Sequence, residues 1–232
     1  MSSNIYSLGI ASALFIASHL GMSMSAVRTP LIGRLGPLGF KVLYSLVSLW
    51  IFTWMVNAYM QAPRIELFSP SMANQHWSLT MMLLAAFMVV AGFTTASPTA
   101  MGGEEKGFST GPRGIVKITR HPVMWGFALF GIAHVVANGH LAALLFFGAL
   151  VGLALSGAWH IDARRRAVHG EAWADFEAET SFVPLVAIAT GRTRVEKGEI
   201  KWWQSLLAVG LYIGMLAAHA QAGRDVFPMG FF

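Results

Sequence analysis

The amino-acid sequence predicts an all-α fold: a polytopic membrane bundle of about six transmembrane helices with a cytoplasmic amphipathic segment, in one membrane domain over residues 1–232. Three observations predict it. Hydrophobic residues make up 55% of the chain and charged residues 12%, about half the charged share of soluble domains. Apolar runs recur at lengths near the roughly 20 residues that a bilayer core demands. The basic residues between those runs gather on alternate connections.

The spans fall at about 5–26, 40–60, 77–97, 122–138, 141–160 and 202–219, the fourth being the shortest. The first lacks a basic leading region and a small-residue cleavage site, so it reads as a retained span rather than a signal peptide. Pro30, Gly33, Gly36, Pro37 and Gly39 break the chain between spans one and two. A second glycine-rich stretch, from Gly102 to Gly114, precedes span four. Pro122 opens span four in the first turn, where its missing N–H costs nothing. The segment 161–200 reads as an amphipathic helix, a break at Gly170, and a short helix ending before Pro184. Trp173 and Phe176 lie three apart on one face of it.

The connections at 27–41, 98–120 and 161–201 hold fourteen of the sixteen lysines and arginines, leaving Arg64 and Arg224 for the other side. The positive-inside rule makes these three connections cytoplasmic and places both termini outside. The net charge of +5 therefore orients the chain in a membrane and is no nucleic-acid signal. With no cysteine in the chain, disulfides, thiolate ligation and cysteine nucleophiles are excluded. Ligand chemistry rests on histidines, methionines and a few carboxylates.

Depth sorts the eight histidines. His19 lies about 10 Å inside the cytoplasmic end of span one. His121 begins span four and His160 ends span five at the same face. His134 is roughly 20 Å from His121 along a helix, with His76, His140 and His219 also on the outer side. An ionisable residue inside a span is a functional hypothesis by default, while a neutral histidine hydrogen-bonded to a neighbouring helix is glue. His19, His121 and His160 are thus the site candidates. Asp162, two residues past His160, is placed to orient a ligand imidazole through its free nitrogen. Tyr44, Ser45 and Ser48 on span two either line a cavity or pack helices closely.

The stretches "SHLGMSMSAVRTPLIGRLGPLGFKVLYSLVSL", "ITRHPVMWGFALFGIAHVVANGH" and "GAWHIDARRRAVHGEAWADFEAETSFVPL" resemble the NnrU family of bacterial membrane proteins, from His19 to about Pro184. That family is similar in turn to the zeta-carotene isomerases of plants and cyanobacteria. The resemblance implies a multi-pass protein of the bacterial inner membrane with periplasmic termini. It implies haem b held by His19 and His160 as metal ligands. It also implies either cis–trans isomerisation of a hydrophobic polyene or a part in nitrite and nitric oxide metabolism during denitrification. The isomerases' redox-linked cysteine ligand has no counterpart here. Haem propionates take cationic partners, and Arg28, Arg120 and Arg164 lie on the correct side for them. His121 then serves as the catalytic candidate: a distal group, a propionate partner or an alternative axial ligand.

A more distant similarity joins Arg120-His121-Pro122 and the Gly170, Trp173, Phe176 spacing to isoprenylcysteine and phospholipid methyltransferases. It makes S-adenosylmethionine the alternative cofactor, although the paired glutamates of that group are replaced by His160-Ile-Asp162-Ala-Arg164. A non-enzymatic accessory factor of a respiratory nitrogen-oxide reductase is the third class. Membrane lipid is the expected surrounding in every case, with a polyene, a nitrogen oxide or a respiratory complex as the specific partner.

Overall fold

The computed structural model describes residues 2–100, 103–223 and 226, and its regular elements are helical. They run α1 Ser2–Ser23, α2 Ser25–Gln61, α3 Met72–Thr94, α4 Glu104–Thr110, α5 Ile115–Ile118, α6 Pro122–Asn138, α7 Leu141–Glu179, α8 Val186–Ala189 and α9 Trp202–Gln221. Among the described residues, α1, α2, α3, α7 and α9 are long and apolar enough to cross a membrane. The fourth expected span is α6. Its 17 residues reach about 26 Å, slightly short of a roughly 30 Å hydrocarbon core.

Two connections differ from the sequence expectation. The stretch 27–41 is helix rather than broken chain. Helix α2 starts at Ser25 and is interrupted at Gly36 alone, with φ 70° and ψ 169°. Glycine adopts that backbone without a Cβ penalty, and Pro37 begins the second segment where no N–H is required. The other glycines and Pro30 are absorbed into the helix. Helix α7 likewise continues past His160 to Glu179, turning at Gly170 with φ 49°. The break at 170 and the short helix after it are as the sequence indicates.

The membrane helices pack as a row: α2 against α1, α1 against α7, α7 against α6, α6 against α3, and α3 against α9. Small residues allow the closest approaches, as expected where lipid gives no hydrophobic drive between helices. A Cβ at Gly126 of α6 would lie 2.6 Å from Val89 Cγ2 and 3.0 Å from the Ala85 carbonyl of α3. At Gly131 it would lie 2.8 Å from the Phe147 carbonyl of α7. Leu8, Phe15, Ile51, Met55 and Phe146 form a core between α1, α2 and α7. Met88, Ile115, Val116, Trp173 and Phe176 form a second one under the α7 extension. At the ends of the row, Leu46 and Trp50 of α2 and Leu206 and Ile213 of α9 are exposed, as lipid-facing positions are.

The loops assort by side as the charges require. On the poor side, the Gly139 carbonyl accepts from Leu67 N and Phe68 N at 2.8 and 3.0 Å, and the Asn4 amide reaches the Gln61 carbonyl. On the basic side, Arg120 N donates to the Ser181 carbonyl at 2.9 Å. Leu185 N donates to the Ile118 carbonyl at 2.8 Å, and Lys117 pairs with Glu199. The connections 95–121 and 180–201 thus form one cap over α3, α6 and α7. Arg224, assigned to the poor side, lies outside the described residues.

Gly126→Leu should overpack the α3–α6 contact and lower stability by about 1–3 kcal/mol. Gly210→Leu is the comparison, because nothing lies within 4 Å of a Cβ there. Thermal unfolding in detergent checks this, and equal midpoints for the two variants would contradict the packing.

Candidate functional site

The basic end of the bundle is organised around one buried carboxylate. Asp162, in α7 two residues beyond the expected end of the span, is 4% exposed. Its Oδ1 accepts from His121 Nε2 at 2.6 Å, and its Oδ2 accepts from Arg120 Nε at 2.9 Å and Nη2 at 2.7 Å. Arg120 Nη2 also donates to Glu177 Oε1 at 3.0 Å, and Arg166 closes on Glu177 with three contacts of 2.7–3.1 Å. The chain of charges therefore runs from His121 through Asp162, Arg120 and Glu177 to Arg166. It ties the start of α6 to both sides of the Gly170 turn.

Local sequence explains the placement. Thr119, extended at the end of α5, donates through Oγ1 to the Phe182 carbonyl at 2.7 Å, and Trp125 Nε1 donates to the same carbonyl at 2.8 Å. Pro122 starts α6 immediately after His121, so the Arg-His pair is held in non-helical backbone and both side chains turn inward. Arg192 caps the helix after Gly170 by donating to the carbonyls of Glu177, Ala178 and Thr180. Burial pushes Asp162 up, but hydrogen bonds from His121 and Arg120 and their charge outweigh it and hold its pKa below the ordinary value. His121 is 2% exposed. Its Nδ1, like Nε1 of Trp173, is buried without a hydrogen-bond partner among the described residues.

His19 and His160 occupy a different junction, between α1, α2 and α7. His19 Nδ1 donates to the Phe15 carbonyl at 2.7 Å, leaving Nε2 outside that bond. Its ring packs against Phe15 at 4.3 Å between centroids and meets Tyr44 of α2 edge-on at 5.4 Å. His160 Nε2 donates to the Ser23 carbonyl at 3.3 Å, one turn beyond His19. Asp162 is thus not the partner of His160 that the sequence suggested: it points to His121. His134 and His140 lie far from His121 as expected. His134 stacks on Phe147 and donates through Nδ1 to the Phe130 carbonyl, while His140 caps α7 by accepting from Ala143 N.

Of the arginines expected to meet an anion, Arg28, Arg120 and Arg164, the structure sets Arg120 apart. Arg120 and Arg166 are committed to carboxylates, and Arg165 pairs with Glu104, which also binds His169. Arg28 and Arg164 have no ion pair among the described residues. Desolvation, then repulsion from Arg28 and Arg165, lowers the Arg164 pKa. No group of three or more metal-ligating His, Cys, Asp or Glu side chains occurs among the described residues.

The sequence reading passed over Glu177. Its signal is position: it follows the buried Trp173 by four, so it lies beside that face of the segment after Gly170 and is half-buried. Trp173 and Phe176 are themselves buried in the second core.

Asp162→Asn should cost about 3–5 kcal/mol, the loss typical of removing one partner from a buried ion pair. Because its folded pKa is lowered, Asp162 contributes stability that is present above the ordinary carboxylate range and disappears as pH falls through the folded value. Unfolding followed from neutral to acid pH should therefore show a smaller acid loss in Asp162→Asn than in the parent chain. Superimposable acid limbs would contradict the assignment.

Comparison with known proteins adds the following. The family described as NnrU protein matches residues 7–224. The 15-cis-zeta-carotene isomerase, chloroplastic, of Zea mays is 34% identical over 106 residues, covering 46% of this chain and 29% of that protein. The Arabidopsis thaliana protein of the same name is 34% identical over 109 residues, covering 46% and 30%. The chain thus spans under a third of the length of these relatives. No solved structure matches.

Proposed function

The chain belongs to the NnrU protein family, and on that premise we propose that it is a membrane-embedded cis–trans isomerase of a hydrophobic polyene, using a haem b held by His19. The observation that carries the proposal is the His19 ring. Its Nδ1–H is fixed on the Phe15 carbonyl, the arrangement that presents the opposite imidazole nitrogen of a metal-binding histidine with a lone pair. It stands in an aromatic setting of Phe15, Tyr44 and Phe52 at the α1–α2 contact. Two similar relatives are named as 15-cis-zeta-carotene isomerases, which points to a conjugated hydrocarbon as the substrate class.

The donor set fits a haem in part. His19 offers Nε2 from α1. His160 reaches the same helix from α7 but uses Nε2 on the Ser23 carbonyl, so as second ligand it offers Nδ1 or exchanges that long hydrogen bond. Held there by His19 alone, a haem would supply an open iron position able to polarise a double bond and lower its rotation barrier. The chain's own residues do the rest. A polyene would enter from lipid and need apolar neighbours beside His19, and Phe15, Ile51 and Phe52 supply apolar side chains at the α1–α2 contact. Those side chains would have to part to admit it, and they would then exclude water from the double bonds. Isomerisation moves no atom on or off the substrate, and no proton relay is required. His121, the catalytic candidate from the sequence, is held through Nε2 by Asp162 at a different junction and takes no part in this proposed step. The methyltransferase reading loses support, since Arg120, Trp173 and Phe176 serve internal contacts.

Purified from haem-sufficient cells, the protein should show a Soret band that the double variant His19→Ala, His160→Ala loses. With 15-cis-zeta-carotene in mixed micelles, the parent chain should form the trans isomer and the double variant should be at least tenfold slower. Absence of the band, or its persistence in the double variant, would overturn the ligand assignment. Its loss in His134→Ala, whose ring is held in the same way, would move the ligand to α6. A haem-loaded protein that leaves the carotene unchanged but binds nitric oxide would replace the isomerase with a nitrogen-oxide role.

A further inference from the structure

We propose that Arg28 and Arg164 together form a binding site for a phosphate group at the membrane surface, filled by the headgroup of an anionic phospholipid. The proposal assigns to lipid two arginines that the resemblance offers to haem propionates, and its test is read without haem or turnover.

Three placements bring the two guanidiniums together. His160 of α7 donates to the carbonyl of Ser23, the last residue of α1. Arg164 follows His160 by one helical turn, on the same face. Arg28 is one turn into α2, its N–H donating to the Met24 carbonyl at 2.8 Å. Each residue therefore lies one turn beyond the contact between α1 and α7, on the basic side, where the spans end. Arg28 is anchored by its guanidinium carbon lying 5.8 Å from the centroid of the Phe40 ring, which keeps its charge at this junction.

Charge balance separates this pair from the ion-paired cations of the basic end. Arg120, Arg165, Arg166 and Lys117 each contact a carboxylate. Burial, then the charges of Arg28 and Arg165, disfavours the cation at Arg164, and Glu104 is the carboxylate that offsets them. That carboxylate is already shared by Arg165 and His169. Two like charges held side by side at the edge of a low-dielectric phase repel each other, and a divalent or monovalent oxyanion between them removes the repulsion. Guanidinium forks match phosphate oxygens in plane and spacing. The depth selects a lipid over a dissolved ion: headgroup phosphates are concentrated at the level where the spans end, and basic residues there attract anionic lipid.

The test uses the full chain in nanodiscs of phosphatidylcholine with and without phosphatidylglycerol. Native mass spectrometry of protein released from the discs reads the retained lipid. The parent chain should retain phosphatidylglycerol, and Arg28→Gln, Arg164→Gln should reduce that retention at least tenfold relative to phosphatidylcholine. Arg194→Gln is the comparison for a simple loss of charge, its side chain being 88% exposed; it should leave retention within twofold. Inorganic phosphate titrated into lipid-stripped protein in detergent separates the sources. Weak phosphate binding that is lost in the double variant, alongside retained phosphatidylglycerol in the parent, supports the lipid. Strong phosphate binding with no lipid preference would replace the lipid with a dissolved ion. Equal retention in all three chains, with no phosphate binding, would overturn the site.

Discussion

The basic end of this bundle depends on a carboxylate that water barely reaches. Asp162 projects from α7 at a level where α6 is only beginning, and it meets His121 and Arg120 there. A lone carboxylate at 4% exposure would be costly; with a guanidinium and an imidazole on its two oxygens it becomes a cross-link between neighbouring helices. The turn at Gly170 is arranged from it. Arg120 passes the contact on to Glu177, Glu177 to Arg166, and the turn at Gly170 is thereby closed on itself. The cap of α5, α8 and the loops between them then settles on the first turn of α6 through the Phe182 carbonyl and Ser181.

That cross-link also fixes the other junction. Helix α7 reaches α1 on its far side, where His160 meets Ser23 and His19 stands one turn back. The same helix is therefore held by ion pairs on one flank and presents a histidine on the other. Aromatic packing between α1 and α2 makes that junction apolar, and the row-like arrangement leaves the outer face of α2 exposed.

Much of this was legible in the sequence. Apolar runs and the one-sided arginines gave the spans and their alternation, because length and loop charge are properties of a segment and its neighbours. The break at Gly170 was readable for the same local reason. The helix over 25–35 was not: its glycines and prolines signal a loop in water, but at a membrane surface the backbone satisfies its own hydrogen bonds and only Gly36 yields. Pairings between distant segments were the harder part. Asp162 lies next to His160 in sequence, yet at position 162 on a helix it points about 160° away from position 160 in projection, and its partner comes from 41 residues upstream. Periodicity says which face a residue is on, not which helix that face will meet. Glu177 was hidden because its charge reads as solvated until Trp173 and Phe176 beside it are seen to be buried.

A double-mutant cycle on Asp162→Asn and Arg120→Gln, read as unfolding free energy in detergent, tests the central claim most directly. Contact in one buried network predicts a coupling of about 1–3 kcal/mol, because the second substitution removes a partner already lost. Losses that add within about 0.5 kcal/mol would mean that the carboxylate and the guanidinium act independently, and the account of the basic end would fail.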